Sequence, residues 1–243
     1  MSGEAIRPVT SPRGRRSPAA RDLSPLAALV RRHDPDRFRT ALFAPAERRE
    51  ALFALYAFNC EIARVRERVS IAALGQIRLQ WWREAIAEIF ADAPARRHEV
   101  MEPLAAAIRA YRLDRAHFET LIEAREADLD DRPPPSLAAL EAYAEKSSAP
   151  LVALALAVLG VDDAAASEAG REVGTGYALA GLLRAMPFRA RAGRPLIPQD
   201  IAAASGFDPR DWPALRTTPA VRAATAAIAE AAARHLAAAR AWR

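Results

Sequence analysis

Residues 51–69 read ALFALYAFNCEIARVRERV and predict one long amphipathic α-helix. Six apolar side chains recur within this stretch at steps of three and four residues: Leu52, Leu55, Phe58, Ile62, Val65 and Val69. A helix with 3.6 residues per turn places all six on one face. We therefore expect this face to pack against the core of the protein.

The same periodicity recurs along the rest of the chain, interrupted by proline and glycine. Further helices are predicted over about 76–91, 101–111, 118–129, 137–143, 151–159, 164–186 and 219–243. We expect Pro150 to open a helix that Gly160 closes, and Pro187 to begin a loop. Residues 174–176 read GTG, but they follow no strand, which favours a helix-packing site over a dinucleotide site. The prediction is an all-α domain of eight or nine helices over residues 23–243.

The composition argues against two classes of protein, membrane-spanning bundles and nucleic-acid-binding proteins. Charged residues make up 27% of the chain, which is too many for a bundle of membrane spans, and the longest apolar run, Leu151 to Leu159, is too short to cross a bilayer. The net charge is +5, with Lys146 as the only lysine, which is typical of a GC-rich bacterium. The arginines are scattered among acids and no nucleic-acid motif is present, so we expect no nucleic-acid partner.

The N-terminal residues and the single cysteine indicate a compartment. Residues 1–22 are rich in Arg, Ser and Pro and contain no apolar segment, so we expect a disordered tail; an organellar transit peptide is the alternative. Cys60 can form no intrachain disulfide, which favours a reducing compartment and a buried helical cysteine. The histidines are too far apart to predict a zinc site.

Three segments resemble the squalene/phytoene synthase family. They are Tyr56–Phe58, then Leu121–Leu129 followed by Tyr143, then Leu182–Arg194 followed by Leu196–Pro198. This resemblance implies an isoprenoid-synthase-like helical bundle around a central cavity.

The enzymes that the chain resembles carry two aspartate-rich motifs on facing helices. Carboxylates one turn apart can share magnesium ions, which in turn hold the diphosphate of the substrate. In this chain the motif positions hold Ala63, Arg64 and Glu67, then Gly181, Ala185, Phe188 and Arg189. The resemblance therefore implies no catalytic residue, no metal and no cofactor. The alternative is an active head-to-head farnesyl or geranylgeranyl diphosphate transferase, which would need magnesium.

Four further segments are similar to one branch of this family, whose members act in the assembly of respiratory complex I (NADH:ubiquinone oxidoreductase). They are Phe58–Val65, Ile77–Trp82, Ala144–Ser148 and Leu183–Phe188. The resemblance implies a non-catalytic protein whose partners are complex I subunits or other assembly factors. We also expect a lipid or isoprenoid ligand and peripheral contact with the inner membrane, from the cytoplasm of a bacterium or, alternatively, from the mitochondrial matrix.

Seven residues are candidates for a cavity that binds an anion: Tyr56, Arg64, Glu67, Asp128, Arg184, Arg189 and Arg194. Arg64 and Arg189 stand where the enzymes have acids, and by the resemblance they face one cavity. Arginine binds phosphate or carboxylate without a metal, so these changes predict an anion site. The alternative is a salt bridge from Arg64 or Arg189 to Glu61 or Glu67.

Overall fold

The protein is all-α, as a computed structural model that describes residues 23–194, 196–214 and 216–242 shows. The predicted tail, residues 1–22, lies outside the described residues. The described residues form ten α-helices and no strand, with short 3₁₀ helices at Arg66–Arg68, Ala127–Leu129 and Pro209–Ala214. The helices are α1 (Pro25–His33), α2 (Pro35–Ala41), α3 (Ala46–Ala63), α4 (Ala72–Phe90), α5 (Met101–Tyr111), α6 (Arg115–Ala124), α7 (Leu137–Leu159), α8 (Ala164–Arg191), α9 (Gln199–Ser205) and α10 (Pro219–Arg240).

Local sequence signals mark many of the helix ends. Side chains that accept a hydrogen bond from the first turn precede six helices: Ser24, Asp34, Asp114, Ser136, Asp163 and Thr218. Each such cap contributes about 1 kcal/mol relative to alanine. Gly160 ends α7 in the left-handed conformation, with φ 74°, as predicted.

Two helix boundaries predicted from proline are wrong. Pro150 lies inside α7 and Pro187 lies inside α8, and each helix continues past its proline. An interior proline removes one backbone hydrogen bond and costs about 3 kcal/mol. Buried Ala149 and Leu151 flank Pro150, and buried Met186 precedes Pro187. Tertiary packing thus holds both helices together across a local signal to stop.

The first predicted helix is also shorter than expected. It ends at Ala63, and the chain then passes through the 3₁₀ helix Arg66–Arg68 into extended backbone at Val69. Val69 and Ile71 are β-branched, which disfavours a helix at this point. The break allows the chain to turn into α4, which begins at Ala72, four residues earlier than predicted.

Two hydrophobic cores share α7. The first core centres on Phe58, whose ring contacts Trp82 and Phe118 with centroids 5.5 Å apart in each case. The second core lies among α7, α8, α9 and α10. By length and composition alone α7 could cross a membrane, but Leu154 packs in the first core and Leu140 in the second. We therefore interpret α7 as the core helix that joins the two halves.

Close helix packing surrounds the predicted site at residues 174–176. A Cβ atom on Gly174 would lie 2.9 Å from Cα of Ala149 in α7. A Cβ atom on Gly176 would lie 2.8 Å from Cγ of Leu236 in α10. The prediction of a helix-packing site is confirmed, because these glycines let α8 approach a neighbour on each side.

Candidate functional site

A cavity of about 770 Å³ lies where the two halves of the protein meet. Its walls come from the N-terminal part of α7, from α8, and from the turns that follow α3 and α6. Apolar side chains on the wall include Leu140, Leu182, Phe188 and Leu196. The charged lining consists of five arginines and three carboxylates, namely Arg66, Arg125, Arg132, Arg189, Arg194, Glu67, Asp128 and Asp130. This combination of an apolar wall and a few convergent polar groups is typical of a small-molecule site.

The cavity brings together both segments that the resemblance matched to the aspartate-rich motifs. Ala63 is the last residue of α3, and Glu67 lies in the 3₁₀ helix that follows it. Ala185, Phe188 and Arg189 follow one another along α8, and all five residues line the cavity. The structure therefore places the two motif segments opposite the same space, although only Glu67 among these residues is acidic.

Asp128 is the centre of a buried polar network at one end of the cavity. Its Oδ1 atom accepts hydrogen bonds from the Tyr143 hydroxyl at 2.8 Å and from Arg189 at 3.2 Å. Its Oδ2 atom accepts one from Arg125 at 3.4 Å. The Asp128 side chain is only 12% exposed. One carboxylate thus faces two guanidinium groups and a phenol, contributed by the turn after α6, by α7 and by α8.

Arg125 stabilises this network through hydrogen bonds to three other residues. Its guanidinium donates to the Tyr143 hydroxyl at 3.0 Å, to the Ser147 carbonyl oxygen at 3.2 Å and to Oδ1 of Asn59 at 3.5 Å. Burial works to lower the pKa of Arg125, but Tyr143 and Asp128 outweigh it, so the pKa is raised and the group stays charged. Burial and the Asp128 carboxylate raise the pKa of Tyr143 to about 12, so its hydroxyl remains a donor.

Sequence reasoning did not identify Arg125, Asn59 or Ser147 as parts of the site. The one available signal was a polar residue inside an apolar helical stretch, since Asn59 and Ser147 are both 5% exposed in helices that are otherwise packed by hydrophobic side chains. Buried polar groups require partners, so such residues point to a polar network in the core.

Two further arginines, Arg66 and Arg194, line the cavity. Arg66 pairs with Asp131, with its NH2 atom 3.0 Å from Oδ1. Arg194 donates to the Arg66 carbonyl oxygen at 3.5 Å, and no carboxylate of the described residues lies within 4.0 Å of its side chain. The Trp212 indole donates to the Arg194 carbonyl oxygen at 2.9 Å, which anchors the backbone at this point.

Arg64 does not line the cavity, so the expectation that it faces the same space as Arg189 is wrong. Arg64 is instead 2.9 Å from Nε2 of His33 in α1 and 3.8 Å from Glu67. Burial and the neighbouring Arg64 lower the pKa of His33, so the imidazole is neutral and accepts this hydrogen bond. The helix ends at Ala63, and the next side chain points away from the cavity. The salt bridge to Glu67 was the alternative prediction for Arg64, whereas Arg189 pairs with Asp128.

Tyr56 and Arg184 also lie outside the cavity lining. Tyr56 is buried in α3, and burial raises its pKa. Arg184 forms an ion pair with Asp36 of α2, and its guanidinium lies 6.0 Å from the centroid of the Tyr177 ring. Of the seven candidates, the cavity therefore gathers Glu67, Asp128, Arg189 and Arg194.

The residues of the cavity do not fit the magnesium that the resemblance implies for an active enzyme. Magnesium requires several oxygen ligands in octahedral geometry. Asp128 already binds two guanidinium groups, Asp130 is paired with Arg132, and the Glu67 side chain is 64% exposed at the rim. The described part of the chain contains no group of three or more His, Cys, Asp or Glu that could hold a metal ion.

Comparison with known proteins identifies the relatives of this chain. It is 33% identical over 184 residues to the bovine protein named NADH dehydrogenase (ubiquinone) complex I, assembly factor 6, and 32% identical to the human one. These matches cover 76% of this chain and 55% of each relative, so the chain spans about half the length of these curated relatives. A presqualene diphosphate synthase of Rhodopseudomonas palustris is 26% identical over 80% of this chain and 69% of that protein.

The solved structures share the fold. Squalene synthase HpnC from Alicyclobacillus acidocaldarius superposes with a TM-score of 0.77 at 22% identity, over 89% of this chain and 81% of that chain. A dehydrosqualene synthase in complex with ligand gives a TM-score of 0.77 at 15% identity, over 86% and 72%. The sequence model of the family described as squalene/phytoene synthase matches residues 30–243. This chain is therefore a member of the squalene/phytoene synthase family.

Proposed function

We propose that this protein is a non-catalytic family member that acts in the assembly of respiratory complex I. The observation that carries the proposal is the cavity itself, whose lining holds Ala63, Ala185 and Arg189, which by the resemblance stand where the enzymes have metal-binding acids. The similarity to assembly factor 6 proteins extends over most of the chain and supports the same function. Its partners are complex I subunits or other assembly factors.

We further propose that the cavity binds a lipid or isoprenoid. Its volume of about 770 Å³ falls within the range of roughly 300–1,000 Å³ that is common for ligand sites. A protein that served only as a scaffold would need no such space. Leu140, Leu182 and Phe188 offer an apolar wall, and each buried CH₂ group of a ligand contributes about 0.8 kcal/mol.

Complementation tests both parts of this proposal. A bacterial strain that lacks its own copy should lose assembled complex I on native gels and lose NADH:ubiquinone oxidoreductase activity, and the wild-type chain should restore both. Ala185→Trp fills the cavity and should fail to restore them, while Ala180→Trp, on the exposed side of the same helix, should succeed. Failure of the wild-type chain would refute the assembly function. Full restoration by Ala185→Trp would refute only the need for a cavity ligand.

The second candidate function is prenyl transfer, which the similarity to presqualene diphosphate synthases favours. Prenyl transfer requires a diphosphate held by magnesium. The carboxylate of Asp128, which would be a ligand of that metal, is already paired with Arg125 and Arg189. We expect the purified protein to form no condensed product from farnesyl or geranylgeranyl diphosphate with magnesium. Product above that of a heat-inactivated control would show that the protein is an enzyme.

Peripheral contact with the inner membrane is also proposed, and the N-terminal part of α4 supports it. Ile71, Leu74 and Ile77 are 57%, 45% and 65% exposed, and they adjoin the exposed Arg78. Residues 64–83 contain five arginines, of which four are paired with carboxylates and Arg78 has no ion pair among the described residues. Exposed apolar side chains beside such an arginine suit an anionic lipid surface, where each basic residue contributes about 1 kcal/mol. We propose that this lipid surface is the cytoplasmic face of the bacterial inner membrane or, in the alternative, the matrix face of the mitochondrial inner membrane.

Vesicle flotation tests this contact. The protein should float with vesicles that contain anionic phospholipid and be released by high salt, because salt screens the attraction. The double variant Leu74→Ser, Ile77→Ser should bind weakly, while Leu159→Ser, Val161→Ser, which removes two other exposed apolar side chains, should bind like the wild type. Equal binding by both variants would refute a role for this surface.

A further inference from the structure

The lining of the cavity has two more guanidinium groups than carboxylates. We propose that this charged lining binds the phosphate group of an amphiphile directly through Arg189 and Arg194, with no divalent cation. The inference rests on the proposed lipid-binding function and names the chemistry of the ligand. It replaces the metal of the related enzymes by guanidinium groups of this chain.

Arg189 is only partly compensated. It shares the single charge of Asp128 with Arg125, and only its NH2 atom has a hydrogen-bond partner among the described residues. Its side chain is 29% exposed, so the remaining N–H groups can reach the cavity. Arg125 differs, because its contacts with Tyr143 and the Ser147 carbonyl oxygen are internal to the protein. Arg125 therefore positions Asp128, and Arg189 is the group that can contact a ligand.

Arg194 supplies the second contact. It lines the cavity five residues after Arg189, and no carboxylate of the described residues neutralises it. Its backbone is held by Trp212, so the guanidinium starts from a fixed position. Two guanidinium groups that line one cavity can each donate two parallel N–H bonds to phosphate oxygens. The adjoining apolar wall, with Leu182 and Phe188, is suited to a hydrocarbon tail.

The acids of the cavity distinguish this mode of binding from a metal site. If magnesium held the phosphate, the carboxylates of Glu67 and Asp128 would be its ligands, and loss of either charge would weaken binding. If guanidinium groups hold the phosphate, the same carboxylates repel it, and loss of a charge strengthens binding. Glu67 is the better residue to change, because its side chain is largely exposed and supports no buried network.

Isothermal titration with three probes tests the proposal: dodecyl phosphate, dodecanol and inorganic phosphate. We expect dodecyl phosphate to bind best, with the same affinity in EDTA and in magnesium. Arg189→Ala and Arg194→Ala should each weaken its binding by about tenfold or more, because each removes a charge-assisted contact. Glu67→Gln should strengthen binding by about two- to fivefold, in the range of an exposed charge pair. Arg210→Ala is the control, since Arg210 is paired with Asp208, is 90% exposed and lies outside the cavity lining, and it should bind like the wild type.

Each contrary result has a distinct meaning. Equal binding of dodecanol would overturn the phosphate contact but leave a lipid site in place. Equal binding of inorganic phosphate would overturn the amphiphile and leave a simple anion site. Dependence on magnesium, or weaker binding by Glu67→Gln, would establish a metal site and overturn the proposal. Absence of binding by all three probes would overturn both the phosphate contact and the lipid-binding function, while the complementation result would still decide the assembly function. If Arg189→Ala does not fold, Arg189→Lys and Arg194→Ala provide the same test.

Discussion

Two glycines of α8 allow the packing of this helix to be tested with one and the same substitution. Alanine is a better helix former than glycine by about 1 kcal/mol. A Cβ atom added at Gly181 would have no neighbouring atom within 4 Å, so Gly181→Ala should gain about that amount of stability. Gly174→Ala improves the helix propensity by the same amount, but its added methyl group lies close to backbone atoms of α7. The comparison therefore isolates the cost of that contact.

The cost at Gly174 follows from the atoms that the new methyl group would meet. They are Cα and N of Ala149, at 2.9 and 3.0 Å, and the carbonyl carbon of Ser148 at 3.3 Å. All are backbone atoms, so no side-chain rotation can relieve the contact, and α7 must move. Overpacking of this kind costs about 1–3 kcal/mol. Gly174→Ala should therefore be less stable than Gly181→Ala by about 1–3 kcal/mol, a difference of roughly 2–12 °C in Tm for a protein of this size.

Urea unfolding and thermal melts followed by circular dichroism would measure this difference. Gly181→Ala should be the most stable of the three proteins. Gly174→Ala should be as stable as the wild type or less stable. If Gly174→Ala is as stable as Gly181→Ala, the two helices do not approach as closely as the structure indicates, and the reasoning fails.

Three further predictions concern single side chains. Burial raises the pKa of the Cys60 thiol to about 12, so at pH 8 a thiol reagent should label Cys60 only as the protein unfolds in urea; rapid labelling of the native protein would contradict this. Tyr143 has a folded pKa of about 12 against an ordinary value of 10.0, so stability that is present below pH 10 should be lost as the pH rises towards 12. Tyr143→Phe should make that loss smaller in urea titrations, and an unchanged pH dependence would exclude this tyrosine as its source. Ser136→Ala removes the hydrogen bond from the Ala139 amide and should cost about 1 kcal/mol of unfolding free energy, whereas no change would show that the cap is dispensable.

Local patterns of residues are enough to predict the helical class, most of the helices and several of their ends. Apolar residues at steps of three and four identify a helix whatever it packs against, and Ser136 and Gly160 act within one turn of their own position. The family resemblance located both motif segments, and the cavity lies between them. These features depend on neighbours in the chain or on patterns that the residues carry themselves.

Other features depend on contacts between segments that are distant in the chain. Pro150 and Pro187 carry a local signal to end a helix, and the packing of buried neighbouring residues overrides it. Ala63 faces the cavity while Arg64 contacts His33, because one residue at the end of a helix changes the direction of a side chain by about 100°. The contacts of Arg125 with partners as far away as Asn59, 66 residues distant, form only when separate helices meet. No periodicity within one segment reports such a meeting, since it depends on where the other segments pack.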